Sequence, residues 1–437
     1  METDSERYKI VYECYESRIL FGFYAYDDWL PSVPVICRYF RMPTATVRFA
    51  MARLEEAGYV RILDRKPARV IYKANLQGYR RNMAEYFAAH REGIADLVES
   101  GGLLFAPVHL YPRGGTVAAR FYTFAFEADN SLLSNLYSEI IRYLRFPYLT
   151  GDEPPEEGVV DSSEKDFVLF QKKLQAEYQQ DVRKLFDFID RASEEFSLKT
   201  VEQIPFHWNV YRHRPQMRYT LASLIIQEIV SGKYPVGSYL PSLPRMAEQH
   251  GVGVNTVRRT LEILNKLGVT ETFHGKGTLA CMKPAEINLA DSDLSEGLRL
   301  FMESLQLLAL TIQPVLLSVL ERSTLEQRRK HAQQYVLLLK NHESYRGIDV
   351  CLLFIEEVCP MAFIRECYRK IRELLAWGYP FAILRAKKEG RSIHAIYAES
   401  MEQIVVFLQK GENQAVSEKW KQVLESDVNA YVPGCSG

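Results

Sequence analysis

The residues in this chain best suited to chemistry are cations set beside small polar groups, and they fall in two clusters. The first holds Thr44, Thr46 and Arg48, followed by Arg65 and Lys66. The second holds Asn255, Thr256, Arg258 and Arg259, followed by Gly275-Lys276-Gly277. A guanidinium suits guanine or phosphate through two parallel hydrogen bonds, and an amide suits adenine. Such a set serves recognition of double-stranded DNA rather than bond making. The chain spells no G-x-S-x-G, no P-loop and no H-E-x-x-H, so no catalytic residue and no enzyme activity are expected. The charge distribution agrees. Residues 30–73 carry nine Lys/Arg against three Asp/Glu and residues 240–283 six against three, while the whole chain nets −1. Basic segments in an acidic remainder attract phosphates locally and keep the rest off random polyanions.

The elements that must hold these groups can be read around the second cluster. TLASLIIQEIVSGKY has helical spacing and ends at Gly232. Pro235 and Gly237 make a turn, and Ser242 is placed to cap a second helix that stops at Gly251. VGVNTVRRTLEILNKLG reads as a third helix, opening near Asn255 and ended by Gly268. The β-prone runs VTETF and TLACM flank His274-Gly275-Lys276-Gly277, which makes a wing. A helix-turn-helix lays its second helix in the major groove, and wing glycines let backbone approach a phosphate or the minor groove. The first cluster repeats the plan. Ser32 stands where Ser242 does, ATVRFAMARLEEAG is ended by Gly58, and DRKPARV is the wing, with Arg65, Lys66 and Arg69. Pro67 replaces Gly277, which stiffens the tip and removes a backbone donor.

The two segments align without a gap at an offset of 210. Gly22, Tyr24, Leu30-Pro31-Ser32, Pro34, Thr46-Val47-Arg48, Leu54, Gly58, Lys66 and Lys73 all find the same residue type 210 positions on. A weaker echo follows at an offset of 231: Tyr137, Ile140, Leu144, Phe146 and Tyr148 line up with Tyr368, Ile371, Leu375, Trp377 and Tyr379. The expected fold is therefore mainly α, an internal duplication of a winged helix-turn-helix domain followed by an all-helical domain. The boundaries are a winged domain at 1–75, a helical domain at 76–198, a linker at 199–217, a winged domain at 218–283 and a helical effector or dimerisation domain at 284–437. The polar run 151–165 reads as an exposed loop.

Both basic segments resemble the GntR family of bacterial repressors. The resemblance rests on Gly232-Lys233-Tyr234, Leu240-Pro241-Ser242, Thr256-Val257-Arg258, Gly268 and Gly275-Lys276-Gly277-Thr278, and the second copy is the closer. It implies DNA contacts at Arg245, Thr256, Arg258 and Gly277. It also shows departures: Val35 replaces the arginine after LPS, and Thr44 and Val254 stand where the family opens its recognition helix with arginine. The helical segments are similar to the effector domain of the FadR-like branch, which binds small organic acids, often through a metal. Asp349 keeps that motif's aspartate, but Leu353 replaces its histidine, and His331, His342 and His394 lie off the pattern. No metal and no cofactor are expected. A further branch carries a pyridoxal-phosphate domain, for which residues 284–437 are too short.

The remaining properties bound the setting. Seven cysteines with no C-x-x-C favour a reduced, cytoplasmic environment. METDSERYKI has no signal-peptide core, and no run of about 18 apolar residues is read as a membrane span. The expected partners are double-stranded DNA and a small-molecule effector, with the two copies acting as an intramolecular pseudo-dimer or within a homodimer. The alternative is a protein-interaction module in which one or both winged domains no longer read DNA.

Overall fold

Apolar periodicity closed by glycine builds the same motif at two places in the chain. In the computed structural model, which describes residues 4–40, 42–105, 130–145, 183–198, 200–210, 217–284 and 291–431, the chain divides into two compact units. One comprises 1–98 with 110–206, the other 99–109 with 207–437.

In the first unit, α1 (Asp4–Leu20), α2 (Val33–Phe40) and α3 (Thr44–Glu56) precede the antiparallel pair β1 (Val60–Arg61) and β2 (Arg69–Val70). Ile10, Val11, Ile36, Val47, Leu54 and Val70 meet in the core. The second unit sets α8 (Met217–Val230), α9 (Leu243–Gln249) and α10 (Val254–Lys266) before β3 (Thr270–Phe273) and β4 (Gly277–Ala280). Backbone hydrogen bonds recur at the 210 offset. Leu30 N–H donates to Ala68 O at 2.9 Å and Leu240 N–H to Thr278 O at 2.8 Å. Val70 N–H donates to Asp28 O and Ala280 N–H to Ser238 O, both at 2.9 Å. Trp29 bridges Arg69 as Tyr239 bridges Leu279. Asp27, with φ 85°, occupies the left-handed conformation that Gly237 takes at φ 90°. Aspartate is among the few side chains that tolerate it, and here its carboxylate pairs with Arg69. The wings differ. Four residue pairs form in the second, including Phe273 with Gly277, but two in the first. Pro67 has no N–H to give at the Gly277 position, and Arg65 turns the tip at φ 54°.

Helices follow each motif. In the first unit α4 (Leu76–Ala89) begins where the Asn75 side chain accepts from Gly78 N–H. α5 (Arg91–Phe105) follows, with its residues up to Val98 in this unit, then α6 (Ser131–Leu144) and α7 (183–195). The chain breaks between α4 and α5 at His90, whose ring stacks on Tyr86 with centroids 4.1 Å apart. Phe146, Tyr148 and the polar run 151–165 lie outside the described residues. Within 199–217, Ile204 N–H donates to Ala89 O at 2.7 Å in the first unit, while Trp208 is buried in the second.

The second unit continues with α11 (Ser292–Arg322), α12 (Leu325–Lys340), α13 (Gly347–Val358), α14 (Ala362–Leu375), α15 (Gly378–Lys388), α16 (Ile393–Lys410) and α17 (Asn413–Tyr431). Thr324 and Gln327 form a capping box at the start of α12. Gly411, at φ 75°, separates α16 from α17. The expectation that no run is long and apolar enough to span a bilayer is corrected by length and composition alone: a window of 18 residues within Asp293–Arg322 has a mean hydropathy of 1.6. Most of its apolar window is buried inside the protein, where α11 packs along α17 and against α14. The demand for apolarity comes from this core.

Candidate nucleic-acid interface

Helix α10 sorts its residues by the 3.6 period. Val257, Thr260, Leu261 and Leu264 face the core, which turns Val254, Asn255, Arg258, Arg259 and Glu262 outward. Gly253 is its N-cap and makes no side-chain capping bond, so the helix opens with free backbone N–H groups beside Asn255. Arg258 Nη1 donates to Asn255 Oδ1 at 2.8 Å. That bond fixes the guanidinium over the helix start and leaves the asparagine amide hydrogens to a ligand. Thr256 is half-buried. Arg245, exposed on α9, and Arg259 make no hydrogen bond or ion pair among the described residues. Ser242 takes the N-cap position of α9, but its side chain caps nothing, so the hydroxyl is exposed and available. Gly275, Lys276 and Gly277 are exposed at the wing tip, and Lys276 N–H closes the turn onto Phe273 O at 3.1 Å.

The first unit presents a different surface on the same scaffold. Thr44 and Arg48 point outward on α3, and Ser32 is half-buried before α2. Thr46 is a correction: only 6% exposed, it packs inward beside Val47 and Ala50 instead of facing a duplex. The helical period that turns Arg48 out turns Thr46 in. Ala45 stands at the place of Asn255 and Val35 at that of Arg245. Phe49, 52% exposed, stands at that of Arg259 and meets Tyr8 edge to face at 4.6 Å. The wing compensates in charge. Arg65 and Lys66 are exposed at its tip, with Asp64 3.8 Å from Arg65 and itself fully in solvent. Arg69 lies over Trp29 at 5.4 Å and Lys73 over Tyr26 at 4.2 Å.

Each winged motif packs on helices of its own unit, partly by contacts that sequence reading missed because the partners are distant in the chain. In the first, Arg142 on α6 binds Glu13 on α1 at 2.7 Å and Glu139 at 2.9 Å, and Arg145 reaches Glu16 at 3.4 Å. Tyr12 and Tyr59 also donate to Glu16, and burial pushes the Tyr59 hydroxyl up to about 12. In the second, α14 packs on α8, and Gln227 Nε2 donates to Arg372 O at 2.9 Å.

The residues compared with the FadR-like metal motif are engaged otherwise. Asp349 lies 3.3 Å from Arg372. His331 is buried against Phe354, and His394 accepts from Ser344 N–H at 3.3 Å. Among the described residues no three His, Cys, Asp or Glu side chains are grouped as a metal site.

A helix-turn-helix followed by an antiparallel strand pair gives residues 217–280 a winged helix-turn-helix fold, and residues 4–70 repeat that order of elements. Residues 219–279 match the family described as "Bacterial regulatory proteins, gntR family". The YhcF protein of Bacillus subtilis, an uncharacterized HTH-type transcriptional regulator, is 36% identical over 98 residues, 22% of this chain and 80% of its own. The chain belongs to the gntR family and is a transcriptional regulator. The Uxu operon regulator of Haemophilus influenzae is 24% identical over 219 residues, 48% of this chain and 80% of its own. Among solved structures, a Streptococcus agalactiae GntR covers 49% of this chain and 99% of its own at 16% identity and a TM-score of 0.23. E. coli McbR/YncC covers 49% and 96% at 16% identity and a TM-score of 0.27. Scores this low do not superpose the chains as wholes.

Proposed function

We propose that this chain is a one-component regulator that grips operator DNA with both winged units and is modulated by a small molecule at its helical domains. The observation that carries the reading is the outward row of Arg245, Asn255, Arg258 and Arg259 beside the Gly275-Lys276-Gly277 wing. In this reading Ser242 and Thr256 complete the second surface, and Ser32, Thr44, Arg48, Arg65 and Lys66 form the first. The recurrence of elements and hydrogen bonds at a constant offset supports internal duplication. The all-helical domain after the second wing supports the FadR-like branch. Two half-sites of unlike sequence follow from two unlike helices, read by an intramolecular pseudo-dimer or by a homodimer in the cytoplasm. A coupling of about 1–3 kcal/mol between effector and operator suffices for control.

The replacement of Arg259, Asn255 and Arg245 by Phe49, Ala45 and Val35 favours a second reading of the first unit alone, in which its helix meets a protein instead of a groove. Fluorescence anisotropy with the upstream promoter duplex separates the two. Under the leading reading Arg48→Ala and Arg258→Ala each weaken a salt-sensitive complex; under the second, only Arg258→Ala does.

A further inference from the structure

Two adjoining clefts open where α8 of the second winged motif meets the helical bundle, and Gln227, Asp349, Arg372 and Tyr379 line both. The polar groups around this junction are unevenly satisfied. Arg372 is engaged by Glu356 and Asp349, and Arg346 by Glu343 at 3.0 Å. On the acidic side, Glu228 lines the second cleft with its Oε1 taken by Lys233, but its Oε2 is buried without a hydrogen-bond partner; His250 Nε2 stands 3.9 Å away. Asp349 makes one contact, with a guanidinium that Glu356 shares. Aromatic surface stands beside these carboxylates: Tyr345 and Tyr379 meet edge to face at 6.2 Å, and Tyr397 and Tyr431 continue the wall of the first cleft. Guanidiniums already paired, acceptors left over and tyrosine faces together suit a donor carrying positive charge.

We propose that this junction binds a small organic ammonium compound with an apolar group, its cationic head between Glu228, Asp349 and the Tyr345–Tyr379 pair. The winged motif senses occupancy through Gln227, whose amide reaches across the seam to the α14 backbone. The apolar group lies against Phe301, Leu305 and Leu352. The control of DNA affinity rests on the regulator reading above; the binding itself does not.

The test is calorimetric titration of the full chain with benzyltrimethylammonium chloride, and with phenylacetate and benzyl alcohol as anionic and neutral counterparts. The ammonium salt should bind and the other two should not. Asp349→Asn and, separately, Tyr345→Ala should each weaken it by about tenfold, with circular dichroism reporting that each variant is folded. At saturating ammonium salt, Gln227→Ala should lose the ligand's effect on promoter-duplex anisotropy that the parent chain shows. Phenylacetate binding in preference, no heat from the ammonium salt, or an isotherm unchanged in both folded variants would overturn the site. A normal isotherm in a protein that ignores DNA would instead overturn the regulator reading.

Discussion

Arg258 is the side chain on which most of the second surface turns, because Asn255 holds it ready at 2.8 Å. Its removal should cost about 1–3 kcal/mol of operator affinity, read by anisotropy, with loss of discrimination at one base position. Asn255→Ala should weaken binding less, since the guanidinium survives without its brace. The type and spacing of both residues were legible in the sequence, because the apolar period of VGVNTVRRTLEILNKLG leaves 255, 258 and 259 off the buried face. The burial of Thr46 was legible too in principle, since 46, 47, 50, 51 and 54 share one helical face. Its match to Thr256 in sequence outweighed that pattern. In the second unit, His331 is buried against Phe354, and burial pulls its pKa from 6.5 down to about 3. The unfolded chain takes up a proton below 6.5 that the folded one refuses until about 3. Stability from this group is therefore complete above pH 6.5 and is lost as pH falls towards 3. Subtracting urea midpoints of His331→Phe from those of the parent across pH 7 to 4 should reveal that slope; parallel curves would contradict it.

At the scale of elements, the closing glycines of the two recognition helices separate conformation from packing. Gly58 and Gly268 both have positive φ, at 80° and 68°. A Cβ on Gly58 meets nothing within 4 Å, whereas one on Gly268 would sit 2.5 Å from Lys283 O. Gly58→Ala should cost about 1–2 kcal/mol, the left-handed penalty alone. Gly268→Ala should cost more, visible as a lower melting temperature than Gly58→Ala in parallel scans. These stops, the wings and the order of helices were readable because glycine, proline and apolar period act locally. The dock of Arg142 on Glu13 was not, since they stand 129 positions apart. The break at His90 was also hidden, because no helix-breaking residue marks it. Removing the dock should loosen the first motif: Arg142→Ala leaves Glu13 and Glu139 facing each other without their shared cation. It should raise amide exchange in α1 while α8 is unchanged.

For the whole molecule, we propose two unlike DNA-reading surfaces on one chain, the second richer in base-reading groups and the first relying on its wing charge. Both surfaces contribute cations, so affinity should fall steeply with salt, and Lys66→Ala or Lys276→Ala should flatten that slope without changing sequence preference. The most direct measurement is hydroxyl-radical footprinting of the full chain on its upstream promoter duplex, beside Arg48→Ala and Arg258→Ala. The account predicts two neighbouring protected segments of different sequence, one fading in each variant. Protection that survives Arg258→Ala unchanged, or a single segment indifferent to Arg48→Ala, would contradict it.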